Sequence, residues 1–248
     1  MATPDPMHFD ALAELYERAR PAYPDALWSR LRELGALRTG GRAVDLGAGT
    51  GQATGPLLRA GLEVTAVEPG ERLAARLRER YPAATVQVAR AEDAVLAPGS
   101  FELAVAATSI HWMKREVVLP KVHHALTAGG RFAVWRNAYG DTSVAVTPFR
   151  ERIEAIVARR DALERPGPSE LETDRWAREL TARGHFAIEL IEELRWSTDL
   201  DEQQVRGLFT TFSDWSPAEA DEAAIAVREL GGLVTEHYVT PLIVLAKR

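Results

Sequence analysis

A doubly wound α/β fold with a parallel sheet is predicted by three observations. Short apolar runs alternate with amphipathic helical stretches from Ala43 onward, the early runs are apolar on both faces, and a glycine-rich turn follows the first of them. Two helical stripes precede the sheet, Phe9, Leu12, Ala13 and Tyr16, then Leu27, Leu31 and Leu34, separated by Arg20-Pro21-Ala22-Tyr23-Pro24. The strands expected are Ala43–Leu46, Glu63–Val67, Ala84–Val88, Phe101–Ala106 and Arg131–Trp135. Between them, Leu73, Leu77 and Tyr81 recur at helical spacing, as do Val118, Val122, Ala125 and Leu126. Later helices are expected around Phe149, Ile153, Ile156 and Val157 and around Trp176, Ala177 and Leu180, with Arg165-Pro166-Gly167-Pro168 breaking the chain between them. Phe186, Ile188, Leu190, Leu194 and Trp196 alternate as a half-buried strand. Helices on Val205, Leu208, Phe209 and Phe212 and on Ala220, Ala223, Ala224, Val227 and Leu230 then lead to a last strand over Tyr238–Ala246.

The 248 residues are 46% hydrophobic and 27% charged, an ordinary globular balance that argues against whole-chain disorder or a fibrous architecture. A net charge of −6 offers no general attraction to nucleic acid or to an anionic membrane. With no cysteine, disulfides, thiolate metal sites and a thiolate nucleophile are excluded, and no metal site is expected. Met1–Asp10 lacks a signal pattern and no apolar run is long enough to span a bilayer, so a soluble cytoplasmic protein is expected.

Val44-Asp45-Leu46-Gly47-Ala48-Gly49-Thr50-Gly51 stands where the first strand gives way to a helix, and glycines there permit a tight turn and close ligand approach. Gln52 takes the place of the third glycine of a dinucleotide fingerprint. Asp45, entering the loop, gives a pyrophosphate no help. Two acids, Asp45 and Glu68 at the end of the second strand, suit a ligand with a positive centre and a ribose diol but no phosphate. S-adenosylmethionine has that chemistry: Glu68 can accept from the ribose hydroxyls, while Asp45 can hold loop amides or a water at the amino acid tail. Ala91-Glu92-Asp93 after the third strand supplies either an adenine contact or a helix-starting acidic pair.

Asp45–Gly51, Val67-Glu68-Pro69 and Ala91-Glu92-Asp93, with Tyr16–Pro24, Ile110-His111-Trp112 and Gly129-Gly130-Arg131, resemble the successive motifs of class I S-adenosylmethionine-dependent methyltransferases, closest to the type 11, trans-aconitate methyltransferase-like group. The resemblance covers roughly residues 9 to 137. It implies a Rossmann-like sheet of seven strands with the last antiparallel, completed by the strands at Phe186–Trp196 and Tyr238–Ala246. It divides the chain into N-terminal lid helices (1–40), a cofactor-binding core (41–140), and a helical substrate cover with the last two strands (141–248). The cofactor residues it implies are Tyr16, Arg20, Asp45, Gly47, Ala48, Gly49, Gly51, Gln52, Glu68, Pro69, Ala91, Glu92 and Ala107. Arg90 stands where many relatives carry an acid, which moves the adenine contact to Glu92 or the Ala91 amide.

Transfer from a sulfonium is an in-line displacement, so positioning supplies much of the catalysis and a base is needed only for a protonated acceptor. His111 is the candidate base or positioning residue. Tyr23, Trp112, Trp135, Arg136 and Tyr139 are the candidate acceptor-binding residues, with Arg136 suited to a carboxylate. Arg72, Arg76, Arg78 and Arg80 read as a solvated helix face. A small-molecule acceptor is expected, with no nucleic acid or membrane partner, in a monomer or homodimer. A cofactor-binding protein without methyl transfer and a nicotinamide-dependent oxidoreductase are the other readings.

Overall fold

A computed structural model describes residues 8–160 and 172–248. The Arg165–Pro168 breaker lies outside the described residues. The strands are β1 (Arg42–Leu46), β2 (Glu63–Glu68), β3 (Thr85–Val88), β4 (Phe101–Ala107), β5 (Leu126–Trp135), β6 (Ala138–Tyr139), β7 (Phe186–Asp201) and β8 (Leu233–Lys247). They form one sheet in the order β3-β2-β1-β4-β5-β8, with β1 to β5 mutually parallel and β8 antiparallel to β5. β7 pairs with β8 along its whole length, so β5 and the two-residue β6 share β8's other edge. The antiparallel last strand is as expected, while β6 adds a strand that two residues after an Arg-Asn step do not announce.

The chain winds from β1 outward to β3, then crosses to β4 on the other side of β1. The carboxyl ends of β1 and β4 therefore bracket the switch point where such sheets bind ligands. Helices cover both faces. Leu27 and Leu31 of α3 (Asp25–Glu33) and Leu57 of α4 (Thr54–Arg59) pack on one face with Val105, Ala133 and Val244. Val118 and Val122 of α6 (Arg115–Ala125) and Leu180 of α8 (Thr173–Thr181) pack on the other with Ala104, Phe132 and Leu245. α5 (Glu71–Arg80) buries Leu73, Ala74 and Leu77. A separate cluster holds the cover: Phe149 and Ile153 of α7 (Pro148–Ala158), Val205 and Phe209 of α9 (Glu202–Thr210), and Ala223 and Val227 of α10 (Pro217–Glu229).

Several local readings need correction. The first stripe is two helices, α1 (His8–Ala11) and α2 (Ala13–Ala19), because Leu12 leaves the helical region at ψ 19°. Tyr81 ends α5 instead of continuing it, and its ring lies where a Cβ at Gly51 or Gly55 would stand. Leu126 begins β5. Ala91-Glu92-Asp93 is a turn, with the Asp93 and Ala94 amides donating to the Arg90 carbonyl, and starts no helix. The basic face of α5 is exposed at Arg72, Arg78 and Arg80, as expected, but it is not free of partners: Arg76 and Arg80 form ion pairs with Glu14 and Glu17 of α2.

Candidate functional site

Asp45 lies in the middle strand's last turn before the loop and is fully buried. Its Oδ2 accepts from Thr54 Oγ1 at 2.7 Å, whereas Oδ1 is buried with no hydrogen-bond partner among the described residues. Burial, opposed by the Thr54 hydrogen bond and reinforced by Glu68, raises its pKa to about 7. A carboxylate oxygen left without a donor is costly unless something supplies one. The space beside it is a cavity of about 250 Å³ lined by Tyr16, Tyr23, Asp45, Gly47, Ala48, Gly49, Gln52, Ala53 and Ala107. Gly47 turns there at φ 68°, and a Cβ would collide with Ser109.

Glu68 is also buried, with its two oxygens accepting from Gly49 N and Gly70 N at 2.8 Å each. Burial raises its pKa against the pull of those two amides. Neither bond uses up an oxygen, since each carboxylate oxygen has a second lone pair.

On the other side of residues 107–108, a second cavity of about 360 Å³ is lined by Thr108–His111, Val134, Trp135, Arg136, Thr173, Trp176, Pro241 and Ile243. Its walls combine apolar side chains with the hydroxyl residues Thr108, Ser109 and Thr173, the Arg136 guanidinium, which stacks 4.8 Å from the Trp176 ring, and the His111 imidazole. His111 is open to solvent at the cavity mouth, but the protein around it, with Arg136 and Arg20, pushes its pKa down to about 4. Water on the open side offsets part of the desolvation, and the imidazole is neutral at pH 7. Trp135 lines the same cavity, and its Nε1 is buried without a partner among the described residues.

Thr108 divides the two cavities. It is the sole non-glycine residue with positive φ (57°) among the described residues, a strained position for a β-branched side chain. Its amide donates to the Trp135 carbonyl at 2.7 Å, and its hydroxyl is 3.0 Å from Tyr23 Oη. Tyr23 in turn meets Trp135 edge-on at 5.6 Å. The left-handed turn curls residues 110–112 into a short 3-10 helix that carries His111 over the second cavity.

Residues 44–134 match the family described as methyltransferase domain, of the type 11 group. The match falls on the stretch that holds the glycine loop, Asp45 and Glu68, and that stretch is similar to a methyltransferase domain. Uncharacterized methyltransferases of Mycobacterium bovis and Mycobacterium tuberculosis are 34% identical over 132 residues, which is 53% of this chain and 53% of each relative. The chain thus spans about half the length of these curated relatives. The solved structure of a candidate type II methyltransferase from Anaeromyxobacter dehalogenans is 26% identical, covers 92% of this chain and 97% of its own, and superposes with a TM-score of 0.64. A candidate sarcosine dimethylglycine methyltransferase from Galdieria sulphuraria shares the fold at 15% identity and a TM-score of 0.55, with 90% of this chain and 84% of that one covered.

Against this methyltransferase frame, the expected residues fall into distinct groups. Tyr16, Asp45, Gly47, Ala48, Gly49, Gln52 and Ala107 meet at the first cavity. His111, Trp135 and Arg136 meet at the second. Tyr23 lines the first cavity, on the opposite side of the Thr108 partition from the acceptor residues it was grouped with. Arg20 points away from the loop: its guanidinium donates to Thr211 Oγ1 and the Thr211 carbonyl at 2.9 Å each and lies 4.7 Å from the Phe212 ring. Only its carbonyl touches the loop region, accepting from Gln52 Nε2. Glu92 Oε1 accepts from Lys114 N at 2.7 Å, and Oε2 faces Arg90 at 3.8 Å, which ties the carboxylate to its own turn. Ala91 is buried behind it, and Gly51 and Pro69 lie outside both linings. Trp112 packs on Phe9 and His111. Tyr139 lies in the cover, edge-on to Phe209, Phe212 and Tyr238, under the Arg150 guanidinium that pairs with the buried Glu236.

Thr108 is the residue that motif reading missed. A threonine after a strand carries no local sign of a left-handed backbone, and its partners Tyr23 and Trp135 come from remote segments. Among the described residues no cluster of acidic and histidine side chains suits a metal, and no helix is long and apolar enough to cross a membrane.

Proposed function

We propose that this chain transfers the methyl group of S-adenosylmethionine to a small-molecule acceptor held in the cavity between the ends of β4 and β5 and helix α8. The observation that carries the reading is the buried, donor-less Oδ1 of Asp45 facing a glycine-lined cavity, one residue's width from a second cavity with a different lining. An ammonium group, such as that of the cofactor's amino acid tail, supplies the missing donor. When bound, the cofactor supplies an electrophilic methyl on a sulfonium. Asp45 then holds the tail, directly or through a water, and Glu68 offers its free lone pairs to the ribose hydroxyls while the Gly49 and Gly70 amides fix its orientation. Glu92 or the Ala91 amide serves the adenine edge, with Gly51, Gln52 and Pro69 shaping the surrounding backbone.

The acceptor side favours a small, largely apolar molecule with an anionic or hydrogen-bonding group. Val134, Trp135, Trp176, Pro241 and Ile243 exclude water, Arg136 attracts negative charge, and Trp135 Nε1 has a proton to donate. Neutral His111 accepts a proton from an acceptor that must lose one, and otherwise orients it. Tyr23, Trp112 and Tyr139 bear on the acceptor through the lid and cover. We extend this to a division of labour in which residues 1–40 form the lid, 41–140 the cofactor core, and 141–248 the cover and last strands.

Incubation with methyl-labelled S-adenosylmethionine and a panel of small acids, amines and phenols tests the reading by formation of the demethylated cofactor. Labelled product from at least one acceptor is expected. Cofactor binding with no transfer to any of them would favour a binding role.

A further inference from the structure

Helix α5 starts immediately beyond Glu68, and its own N-cap residue, Gly70, offers no side chain. The cap comes from a different helix. Asp10 of α1 accepts through one oxygen from Arg72 N at 2.8 Å and Leu73 N at 3.0 Å, the second and third amides of α5. Those are the amides that an N-cap side chain ordinarily serves. Glycine at position 70 makes room for the arrangement: a Cβ there would lie 2.6 Å from that Asp10 oxygen. Its φ of −75° suits any residue, so space alone reserves the position.

Two further contacts hold the same pair of segments. Glu17 pairs with Arg80 at 2.9 Å and with Arg76 at 3.3 Å, and Glu14 pairs with Arg76 at 3.3 Å. Phe9, beside Asp10, packs edge-on against Tyr16 and Trp112. Beneath, Asp45 is 0% exposed and Glu68 5%, and Tyr16 of α2 lines the cavity beside Asp45, so the latched helices form one wall of the ligand's space.

We infer that Asp10 is a positioning residue: with Glu17, Arg76 and Arg80 it latches the N-terminal helices onto the helix that begins at Glu68, and release of this latch sets the exchange rate of the ligand beneath. The inference rests on the proposed cofactor site for the identity of that ligand, but the latch itself does not depend on it. A cap in trans couples two states. When α1 lifts, α5 loses the partner of its first amides, so closure and an ordered turn at Glu68 favour each other.

Two readouts test this on the full chain: chymotrypsin cleavage after Tyr16 in the ligand-free protein, followed by mass spectrometry, and displacement of labelled S-adenosylhomocysteine by excess unlabelled compound. Asp10→Ala should speed both about fivefold, the usual weight of one side-chain cap, whereas Asp10→Asn retains a capping carbonyl and should stay near wild type. Glu17→Arg and Arg80→Glu should each speed cleavage and release, and the double reversal should restore both. Unchanged cleavage in Asp10→Ala, or a double reversal no better than its parents, would overturn the latch. Failure of the wild type to bind S-adenosylhomocysteine would instead refute the cofactor reading, and the cleavage arm would still decide the latch.

Discussion

Substituting Asp45 by Asn separates the cost of the buried carboxylate from its use. Burial raises this carboxyl from an ordinary 3.8 to about 7 in the folded ligand-free chain. A raised folded-state pKa means that the unfolded chain gives up its proton first. The associated stability is therefore fully present below pH 4 and is lost as pH rises towards 7 and beyond. At 1.36 kcal/mol per pH unit, that loss approaches about 4 kcal/mol by pH 8, before any relaxation around the charge. Asn keeps an oxygen for Thr54 Oγ1 and carries no charge, so the variant should lose that pH dependence and unfold at a higher temperature than wild type at pH 8. Its affinity for S-adenosylhomocysteine should fall by about 1.5–3 kcal/mol, the range for a hydrogen bond to a charged group. Thermal unfolding followed by circular dichroism from pH 5 to 8.5, with calorimetric titration of the ligand, measures both halves. A variant that is less stable than wild type at pH 8, or that binds the ligand as tightly, would refute the reasoning.

Glu68→Gln should weaken the ligand by about 1.5–3 kcal/mol in calorimetry and leave the sheet folded, since an amide oxygen still serves one of the two glycine amides. His111→Ala should lower turnover with little change in cofactor affinity; if the imidazole takes a proton, wild-type activity rises with pH through its lowered pKa and is level by pH 7, a profile the variant lacks. At position 108, Val keeps the positive φ and loses the bond to Tyr23, at a cost of about 1–2 kcal/mol. Gly relieves the strain as it loses the bond, so Thr108→Gly should unfold close to wild type in denaturant titration, and a larger loss for Gly than for Val would contradict the strain.

What sequence could show was set by range. β1 to β5 are short apolar runs whose two covered faces follow from residue type alone, and Asp201 with Gln204 and Ser216 with Glu219 announce α9 and α10 through capping boxes, the latter also through Pro217 at the first turn. The glycine loop with Asp45 and Glu68 was equally legible, because its elements adjoin in sequence. What escaped depends on partners far along the chain. Thr108 is held left-handed by Tyr23 and Trp135, Arg20 is drawn to Thr211, and Arg76 and Arg80 gain acidic partners only because α2 brings Glu14 and Glu17 to them. Glu236, 2% exposed and paired with Arg150 under the cover helices, has a partner 86 positions away in sequence. Composition says nothing of such pairings, since each one is a product of the finished packing.

The central claim is that the cavity at Asp45 takes the sulfonium cofactor's amino acid tail. Calorimetric titration of the full chain with S-adenosylhomocysteine at pH 6.5, in two buffers of different ionisation enthalpy, tests it most directly. Binding at one site with net proton release is predicted, because an ammonium beside Asp45 favours its ionised form. Absence of binding, or binding without proton release together with tighter binding of NAD, would contradict it.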